Sequence, residues 1–155
     1  GVMVRASGDM YEGQWRAGKQ EGVGTKHSAT GNKYVGQWVS GKKQGQGTMR
    51  YAGGDRYEGE WVAGKREGRG TYHYASGNRY EGEWVADKME GKGTYHYADG
   101  QVEVGCYKAG VGVGEGAKWS ADRTTAARLS DGRGGEAISL EEAARIAERV
   151  GLPVP

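Results

Sequence analysis

The sequence contains no phenylalanine and few long aliphatic side chains, so its apolar character rests on five Trp and ten Tyr. Hydrophobic residues make up only 35% of its 155 residues. Tyrosine and tryptophan rings are flat and have polar edges. The composition therefore predicts no thick, layered hydrophobic core.

The sequence also lacks the features of secreted and membrane-spanning proteins. Its single cysteine, Cys106, has no partner for an internal disulfide, which is typical of a reducing compartment. No apolar run approaches the roughly 20 residues of a membrane-spanning helix, and no signal-peptide pattern opens the sequence. We expect an intracellular protein, either cytoplasmic or associated with the cytoskeleton or an organelle. Gly1 matches the middle of a repeat, so we also expect further repeats or a targeting segment upstream.

Charge of one sign is lacking too, because 22 basic and 20 acidic residues are mixed along the chain. The resulting net charge of +2 gives no broad basic surface, and we expect no nucleic-acid partner. The mean hydropathy of −0.83 is low. Disordered chains, however, are poor in aromatic residues, and here the aromatic residues recur regularly. We therefore expect an ordered array.

Glycine is abundant, with 31 residues, and takes part in a repeat with a period of 23 residues. Such a period is typical of a stacked array, in which each unit buries its apolar face against its neighbours. The recurring positions are Tyr11, Tyr34, Tyr57 and Tyr80; Gly13, Gly36, Gly59 and Gly82; Trp15, Trp38, Trp61 and Trp84; and the G-x-G pairs that begin at Gly22, Gly45, Gly68 and Gly91.

Each repeat contains two segments with the alternation of a β-strand. In residues 79–85 tyrosine, glycine and tryptophan alternate with charged residues, and residues 69–74 alternate in a similar way. Residues 75–77 lie between them and end in glycine, which predicts a three-residue hairpin loop. This loop would pair Tyr74 with Asn78.

That pairing decides which residues share a face of the sheet. Counting outward from the loop places Tyr72 opposite Tyr80 and glycine opposite glycine, so the rings collect on one face, which we call the aromatic face. The opposite face is polar and includes His73 and Glu83. Opposed glycines leave room for aromatic rings to lie over the backbone.

The remaining link in each repeat, residues 63–67, is predicted to be a longer turn. Successive units then form a meander, and five repeats give about ten strands. In the fifth unit Glu103, Gly105 and Tyr107 stand at the positions of tyrosine, glycine and tryptophan. Such decay marks the end of an array.

The C-terminal part of the chain follows a different pattern. Residues 117–137 keep only traces of the repeat and are predicted to be an irregular linker. Ser139 opens a capping box before an apolar helical stripe, and Gly151 ends it. Because a helix this short is marginal alone, we expect it to dock on the array as a cap; the alternative is a frayed tail. The predicted domains are residues 1–116, 117–137 and 138–151.

The stretch Y-E-G-E-W-V-A-G-K-R-E-G-R-G at residues 57–70 closely resembles the MORN repeat, the membrane occupation and recognition nexus motif. Four units match well and a fifth weakly, over roughly residues 1–116. The resemblance implies an all-β fold, an elongated single-layer antiparallel sheet of stacked β-hairpins that serves as a scaffold or docking module. Similar repeats occur beside lipid kinase or lysine methyltransferase domains. No matching catalytic segment is present here, so we expect no enzyme.

Two patterns suggest ligand chemistry but have simpler explanations. Residues 13–19 read G-x-x-x-x-G-K, yet Gln20 follows instead of Ser or Thr, and the segment lies between strands. His73 and His96 occupy equivalent places in adjacent repeats, about 10 Å apart, whereas each ligand of a shared zinc lies about 2.1 Å from it. We expect no metal, no cofactor and no catalytic residue.

The aromatic face is the main functional candidate, because a single-layer sheet has no second layer to cover it. Large exposed apolar patches mark interaction sites, and Trp and Tyr dominate binding hot spots. We expect a scaffold, or a peripheral subunit of an assembly, that docks an extended or helical segment of a protein partner across the central repeats. The alternative is that the rings satisfy one another and the helix covers the remainder. The predicted partner-binding residues are Tyr51, Tyr57, Trp61, Tyr72, Tyr74, Tyr80, Trp84, Tyr95 and Tyr97.

A row of lysines along one edge is the second candidate, because it could bind anionic lipid headgroups at a membrane surface. The simpler interpretation is a solvated edge that resists strand pairing. Glutamates two residues beyond three of these lysines offset much of their charge. The sequence does not indicate whether the chain self-associates. The lysines are Lys19, Lys42, Lys65 and Lys88.

Overall fold

The structure is a computed structural model that describes all residues, 1–155. The chain divides into two compact units, Gly1–Ala75 and Ser76–Pro155. The first unit consists of β1 (Val2–Val4), β2 (Met10–Arg16), β3 (Lys19–His27), β4 (Lys33–Val39), β5 (Lys42–Arg50), β6 (Arg56–Val62) and β7 (Lys65–His73). The second consists of β8 (Arg79–Val85), β9 (Lys88–His96), β10 (Val102–Lys108), β11 (Val111–Trp119), β12 (Ala126–Ser130), β13 (Arg133–Ile138) and α1 (Leu140–Val150).

Within each unit, every strand pairs antiparallel with the next strand in the chain. The first unit has no helix, so its sheet is a single layer. The predicted all-β class, antiparallel hairpins and single C-terminal helix are confirmed.

Three-residue loops connect consecutive repeats, as predicted. In the loop after β5, the Tyr51 N–H donates to the carbonyl oxygen of Asp55 at 2.9 Å. Gly54, the last loop residue, has a φ of 100°, a conformation that glycine adopts without steric cost. Met49 lies opposite Tyr57, which is equivalent to the predicted pairing of Tyr72 with Tyr80. The three-residue loop therefore places both residues of this pair on the aromatic face, as predicted.

The link inside each repeat is shorter than the predicted turn across residues 63–67. Ala63 and Gly64, with φ of 49° and 85°, form a two-residue turn between β6 and β7. Two successive residues with positive φ define the type I′ turn, whose twist suits a hairpin. Alanine does not signal this conformation, which explains the wrong prediction. In the fourth repeat Asp87 stands in place of the turn glycine. Its own φ is 70°, so the turn keeps the same conformation.

The first glycine of each G-x-G pair lies in a β-bulge. Gly68 has a φ of 65°, and the register of β6 against β7 shifts at this point. The Glu60 carboxylate accepts the N–H of Arg69 at 2.5 Å. Gln37 and Glu83 make the corresponding bonds in their repeats, so a glutamine or glutamate at this position stabilises each bulge.

The second glycine of the pair forms a floor for an aromatic ring. Gly70 lies directly opposite Gly59, and the Tyr57 ring extends over both of them. The Tyr57 hydroxyl donates to the carbonyl oxygen of Glu60 at 3.0 Å. A methyl group at either glycine would overlap this ring, so the glycines are required by packing.

Tryptophans join the tyrosines of successive repeats. The Trp61 ring contacts Tyr57 and Tyr34 edge-on, with centroid distances of 5.2 and 5.4 Å. Its indole N–H donates to the Gly47 carbonyl oxygen at 3.1 Å. In the second unit Tyr80 contacts Trp84 at 5.4 Å. These alternating rings form the core of each hairpin array.

Side chains also tie each turn to the next one. At the three-residue loops, Asn32 Oδ1 accepts the Ala52 N–H at 2.9 Å and Asp55 Oδ1 accepts the Ala75 N–H at 2.8 Å. At the tight turns, Gln44 Oε1 accepts the Ala63 N–H at 2.9 Å. These bonds span 20 and 19 residues, less than one repeat.

Residues 117–137 do not form the predicted linker. They include the end of β11 and most of the hairpin β12–β13. Asp131 and Gly132, with φ of 50° and 70°, form its turn. An Asp-Gly dipeptide is a strong signal of a type I′ hairpin, whereas the glycine-rich stretch around it suggests a linker.

The predicted C-terminal helix is confirmed. The Ser139 side chain caps α1 by accepting the Glu142 N–H at 3.1 Å, and Gly151 ends the helix with a φ of 72°. The helix docks on the sheet, so the alternative of a frayed tail is wrong.

The helix packs on the face opposite the aromatic face. Its Ile146 belongs to a buried cluster with Val104 and Trp119, and Val104 alternates along β10 with Glu103, which stands at the tyrosine position. The alternative, in which the helix covers the remainder of the aromatic face, is therefore wrong. The signal was present in the sequence, because valines replace the charged residues that earlier repeats place on this opposite face.

The glycine floor predicts a large effect of one added methyl group. In Gly59→Ala the new Cβ would lie 2.6 Å from the Arg69 carbonyl oxygen and 2.7 Å from the Tyr57 hydroxyl, so we expect a loss of about 2 to 3 kcal/mol in the free energy of unfolding. Urea denaturation measures it. The matched control is Gly53→Ala, since no atom lies within 4 Å of its Cβ position; equal stability of the two variants would contradict the packing role of Gly59.

The packing of α1 predicts that substitutions of its buried and its exposed residues differ in their effect on stability. Ile146 is fully buried, so Ile146→Ala should lower the free energy of unfolding of the second unit by about 2 to 4 kcal/mol. Arg145→Ala on the exposed side of α1 should have little effect. Thermal unfolding followed by circular dichroism compares the two; a harmless Ile146→Ala would show that α1 does not hold the sheet.

Candidate partner-binding face

The predicted partner-binding residues fall into two groups by exposure. Four rings are 0 to 4% exposed, because each tyrosine lies over its glycines and each tryptophan packs edge-on against a tyrosine. A partner does not reach these four, so their inclusion in the site is corrected: Tyr57, Trp61, Tyr80 and Trp84. The half-buried remainder are Tyr51, Tyr72, Tyr74, Tyr95 and Tyr97.

Three of the half-buried rings form a patch in the first unit. Tyr51 and Tyr72 have ring centroids 6.0 Å apart, and Tyr72 and Tyr74 are 4.7 Å apart. Tyr72 lies opposite Tyr57 in the sheet, which places the patch on the aromatic face. We call Tyr51, Tyr72 and Tyr74 the tyrosine patch.

A carboxylate fixes the central ring of the patch. The Tyr72 hydroxyl donates to Asp55 Oδ2 at 2.7 Å. Burial, together with this hydrogen bond, raises the pKa of Tyr72. The same bond, followed by the Ala75 N–H, lowers the pKa of Asp55. Asp55 therefore connects the position of the ring to the loop after β7.

Cations lie over the rings on the aromatic face. The Arg66 guanidinium carbon is 5.2 Å from the Tyr72 ring centroid, and the Lys43 ammonium is 4.4 Å from the Trp61 ring. Both distances are in the range of cation–π contacts. Neither residue is among those predicted from the sequence, although each directly follows a strand-opening lysine, Lys42 or Lys65.

A cleft of about 320 Å³ opens on the same face of the first unit. Lys26 and Ser28 line it, at the positions that Tyr72 and Tyr74 occupy two repeats later. The smaller aromatic content of the first full repeat therefore leaves space on the aromatic face.

The second unit contains a smaller group of half-buried rings. Tyr95 and Tyr97 have centroids 4.8 Å apart, and the Lys118 ammonium is 3.9 Å from the Tyr97 ring. Glu103, at the position of a core tyrosine, is 9% exposed and accepts the Tyr97 hydroxyl at 2.8 Å. Tyr107 contacts Tyr80 at 5.1 Å in place of a tryptophan. The decayed fifth repeat thus keeps the strand pairing of the other repeats, although a carboxylate and a tyrosine replace the core tyrosine and tryptophan.

The four predicted lipid-binding lysines are all exposed and each is the first residue of a strand that follows a tight turn. Two neighbouring glutamates have structural roles: Glu21 accepts the Ser40 N–H and Glu90 accepts the Ala109 N–H, each at 2.9 Å. Lipid binding by Lys19, Lys42, Lys65 and Lys88 remains a prediction. The eleven-residue helix α1 falls short of what a membrane-crossing helix requires.

His73 and His96 lie on the opposite face among charged residues. His73 Nε2 is 3.2 Å from the Arg56 guanidinium and 3.9 Å from the Glu58 carboxylate. His96 is 3.7 Å from Glu81, and burial, followed by the Arg79 charge, lowers its pKa. No group of three or more His, Cys, Asp or Glu side chains is placed to hold a metal ion.

The segment that resembles a phosphate-binding loop, residues 13–19, is part of a hairpin. Its second glycine, Gly18, has a φ of 74° in the tight turn between β2 and β3. A phosphate-binding loop instead precedes a helix, so the structure does not support this interpretation.

The shifted pKa of Asp55 predicts a pH effect on stability. Because this pKa is lower in the folded state than the unfolded value of about 3.9, the carboxylate stabilises the fold above that pH, and this contribution is lost as the pH falls through the folded pKa. Asp55→Asn keeps an acceptor for the Ala75 N–H but does not titrate; Asn32 stands at the equivalent position. We expect the variant to lose less free energy of unfolding between pH 6.5 and pH 2.5 than the parent.

Urea denaturation at the two pH values checks this expectation. Glu12→Gln, which removes an exposed carboxylate from β2, is the control for the change in charge. If Asp55→Asn and the parent lost the same free energy, the Asp55 carboxylate would have no part in the acid sensitivity.

Known sequences and structures show what this chain is similar to. The sequence profile of the MORN repeat matches residues 11–33, 34–56, 57–79 and 80–102, which together exceed half of the chain. No protein of curated function matches the sequence. Among solved structures, the chain is similar to the TCP domain of Drosophila melanogaster SAS-4 (dCPAP) in complex with a proline-rich motif of Ana2 (dSTIL), with a TM-score of 0.54 and 14% identity over 83% of this chain and 70% of that one. The TCP10c domain of Drosophila melanogaster Sas-4 gives a TM-score of 0.47 and 15% identity over 84% and 71%.

Proposed function

This chain belongs to the MORN repeat family, and we propose that it is a non-enzymatic docking module that binds an extended segment of a protein partner on the aromatic face of its first unit. The observation that carries the proposal is the tyrosine patch. Its three rings are half-buried on a single-layer sheet, and the central ring of Tyr72 contacts the other two. Tyrosine supplies a large contact area with only two side-chain torsions to order, which favours binding.

An extended segment rich in proline fits such a surface best. Proline-rich segments form a preorganised left-handed helix whose rings pack against aromatic side chains. The similar fold of the SAS-4 TCP domain, described in complex with a proline-rich motif, motivates the same probe here. A carboxylate and a guanidinium, those of Asp55 and Arg66, lie beside the rings of the tyrosine patch and add polar groups to this surface.

The patch offers binding groups rather than reactive ones. It combines phenol rings with one carboxylate and one guanidinium, and its nearest histidine, His73, lies on the opposite face of β7. The proposal therefore includes no chemical step, and the partner is held and released unchanged.

Selection of peptides tests the proposal. A random twelve-residue library displayed on phage is selected against the full chain, and the affinity of the enriched peptides is measured by fluorescence anisotropy. We expect proline-containing peptides whose affinity falls about thirtyfold in Tyr74→Ala, corresponding to about 2 kcal/mol for a hot-spot ring. Tyr51→Ala should give a similar loss.

His73→Ala is the control on the opposite face and should leave the affinity of the peptides unchanged. Melting temperatures of all variants separate lost binding from lost folding, since the tyrosine rings also contact one another. Peptides that bind Tyr51→Ala and Tyr74→Ala normally but fail to bind His73→Ala would place the partner on the opposite face.

A further inference from the structure

The cleft next to the tyrosine patch is cationic. Lys26, Lys42 and Lys43 line it together with Tyr34, Trp38 and Met49, and none of its lining residues carries a carboxylate. The strand-opening Lys42 is exposed, whereas Lys26 and Lys43 are half-buried. The cleft therefore combines positive charge with an aromatic wall.

The cleft results from specific departures from the repeat. Lys26 and Ser28 replace the tyrosines that fill the same positions in the third repeat, and Met49 replaces one of them in the second. Polar, cationic side chains thus stand where rings would otherwise close the aromatic face.

The lysines of the cleft have different surroundings. The Lys26 ammonium is 3.8 Å from Asp9 Oδ2, and Asp9 Oδ1 is already bonded to the Ala29 N–H. Lys43 lies between rings, 4.4 Å from the Trp61 centroid and 5.5 Å from the Tyr34 centroid. A charge held against aromatic rings is less hydrated than one in bulk water, so an incoming anion interacts with it more strongly.

We propose that this cleft binds a carboxylate side chain of the docked segment, so that the partner is an acidic, extended peptide. This inference rests on the proposed docking function, because it assumes that one segment contacts both the tyrosine patch and the cleft. Adjacent repeats are about 10 Å apart and an extended chain advances about 3.3 Å per residue. Tyr51 stands one repeat beyond Ser28 of the cleft, so the aspartate or glutamate lies about three residues from the residue that contacts Tyr51.

The test uses two probes, fluorescein-labelled hexaglutamate and hexaglutamine, titrated into the full chain at low ionic strength. The cleft variant is Lys26→Met/Lys43→Met, which introduces the residue that the chain itself has at the equivalent positions, Met49 and Met89. The matched control is Lys19→Met/Lys65→Met, which removes the same charge from strand-opening lysines outside the cleft.

We expect the parent and the control to bind hexaglutamate at least tenfold more tightly than hexaglutamine, and the cleft variant to lose this preference. Higher salt should reduce the preference. Equal binding of the two probes by the parent, or equal losses in the two lysine variants, would overturn the proposal.

Two further arms separate the possible failures. Hexaglutamate binding should persist in Tyr74→Ala, because this variant leaves the cleft intact. If proline-rich peptides bind Tyr74→Ala as tightly as the parent, the docking function is refuted. If the parent does not prefer hexaglutamate to hexaglutamine, the cleft proposal is refuted. Vesicles of phosphatidylserine in phosphatidylcholine test a lipid surface. If the parent sediments with these vesicles, the cleft variant does not, and hexaglutamate fails to bind, the cleft binds a membrane surface and the proposal of an acidic peptide is overturned.

Discussion

A tyrosine ring lying over two opposed glycines is the contact on which the rest of this structure depends. Each glycine in a strand costs about 0.5 to 1 kcal/mol relative to alanine, whereas burying a ring of at least 150 Å² contributes about 4 kcal/mol. The free energy gained by burying the ring therefore exceeds the cost of the two glycines beneath it. The tryptophan that contacts this ring adds a second buried ring. This balance lets a single layer such as the first unit bury Tyr57 and Trp61 almost completely.

The same contact limits what remains for function. Rings that lie over glycines are used inside the fold, and only rings farther along the strands, such as Tyr72 and Tyr74, keep exposed surface. In the second unit, α1 packs against Val104 on the opposite face. In the first unit the aromatic face keeps half-buried tyrosines and the cations beside them, while the opposite face carries paired charges such as Arg56 and Glu58.

The sequence predicted those parts of the fold that have strict residue requirements. Tyrosine, glycine and tryptophan at alternate positions located the strands, and the loop glycine, such as Gly54, gave the correct register. The tight turns were missed because Ala63 adopts a left-handed conformation that its residue type does not signal. The division of the rings into buried and half-buried could not be predicted, because it depends on how far each ring extends across neighbouring strands. The cleft at Lys26 depends on which side chains are missing there, so the repeat pattern alone does not show it.

The bonds that tie each turn to the next have a consequence for how such chains change in length. Asn32 to Ala52 and Gln44 to Ala63 each span less than one period, and the ring contacts reach only the adjacent repeat. Duplicating a whole 23-residue segment would therefore reproduce every contact at the new junctions, whereas inserting a single residue would break them. Gene duplication in exact units of 23 residues is accordingly a route to longer or shorter relatives that keeps the packing at every junction.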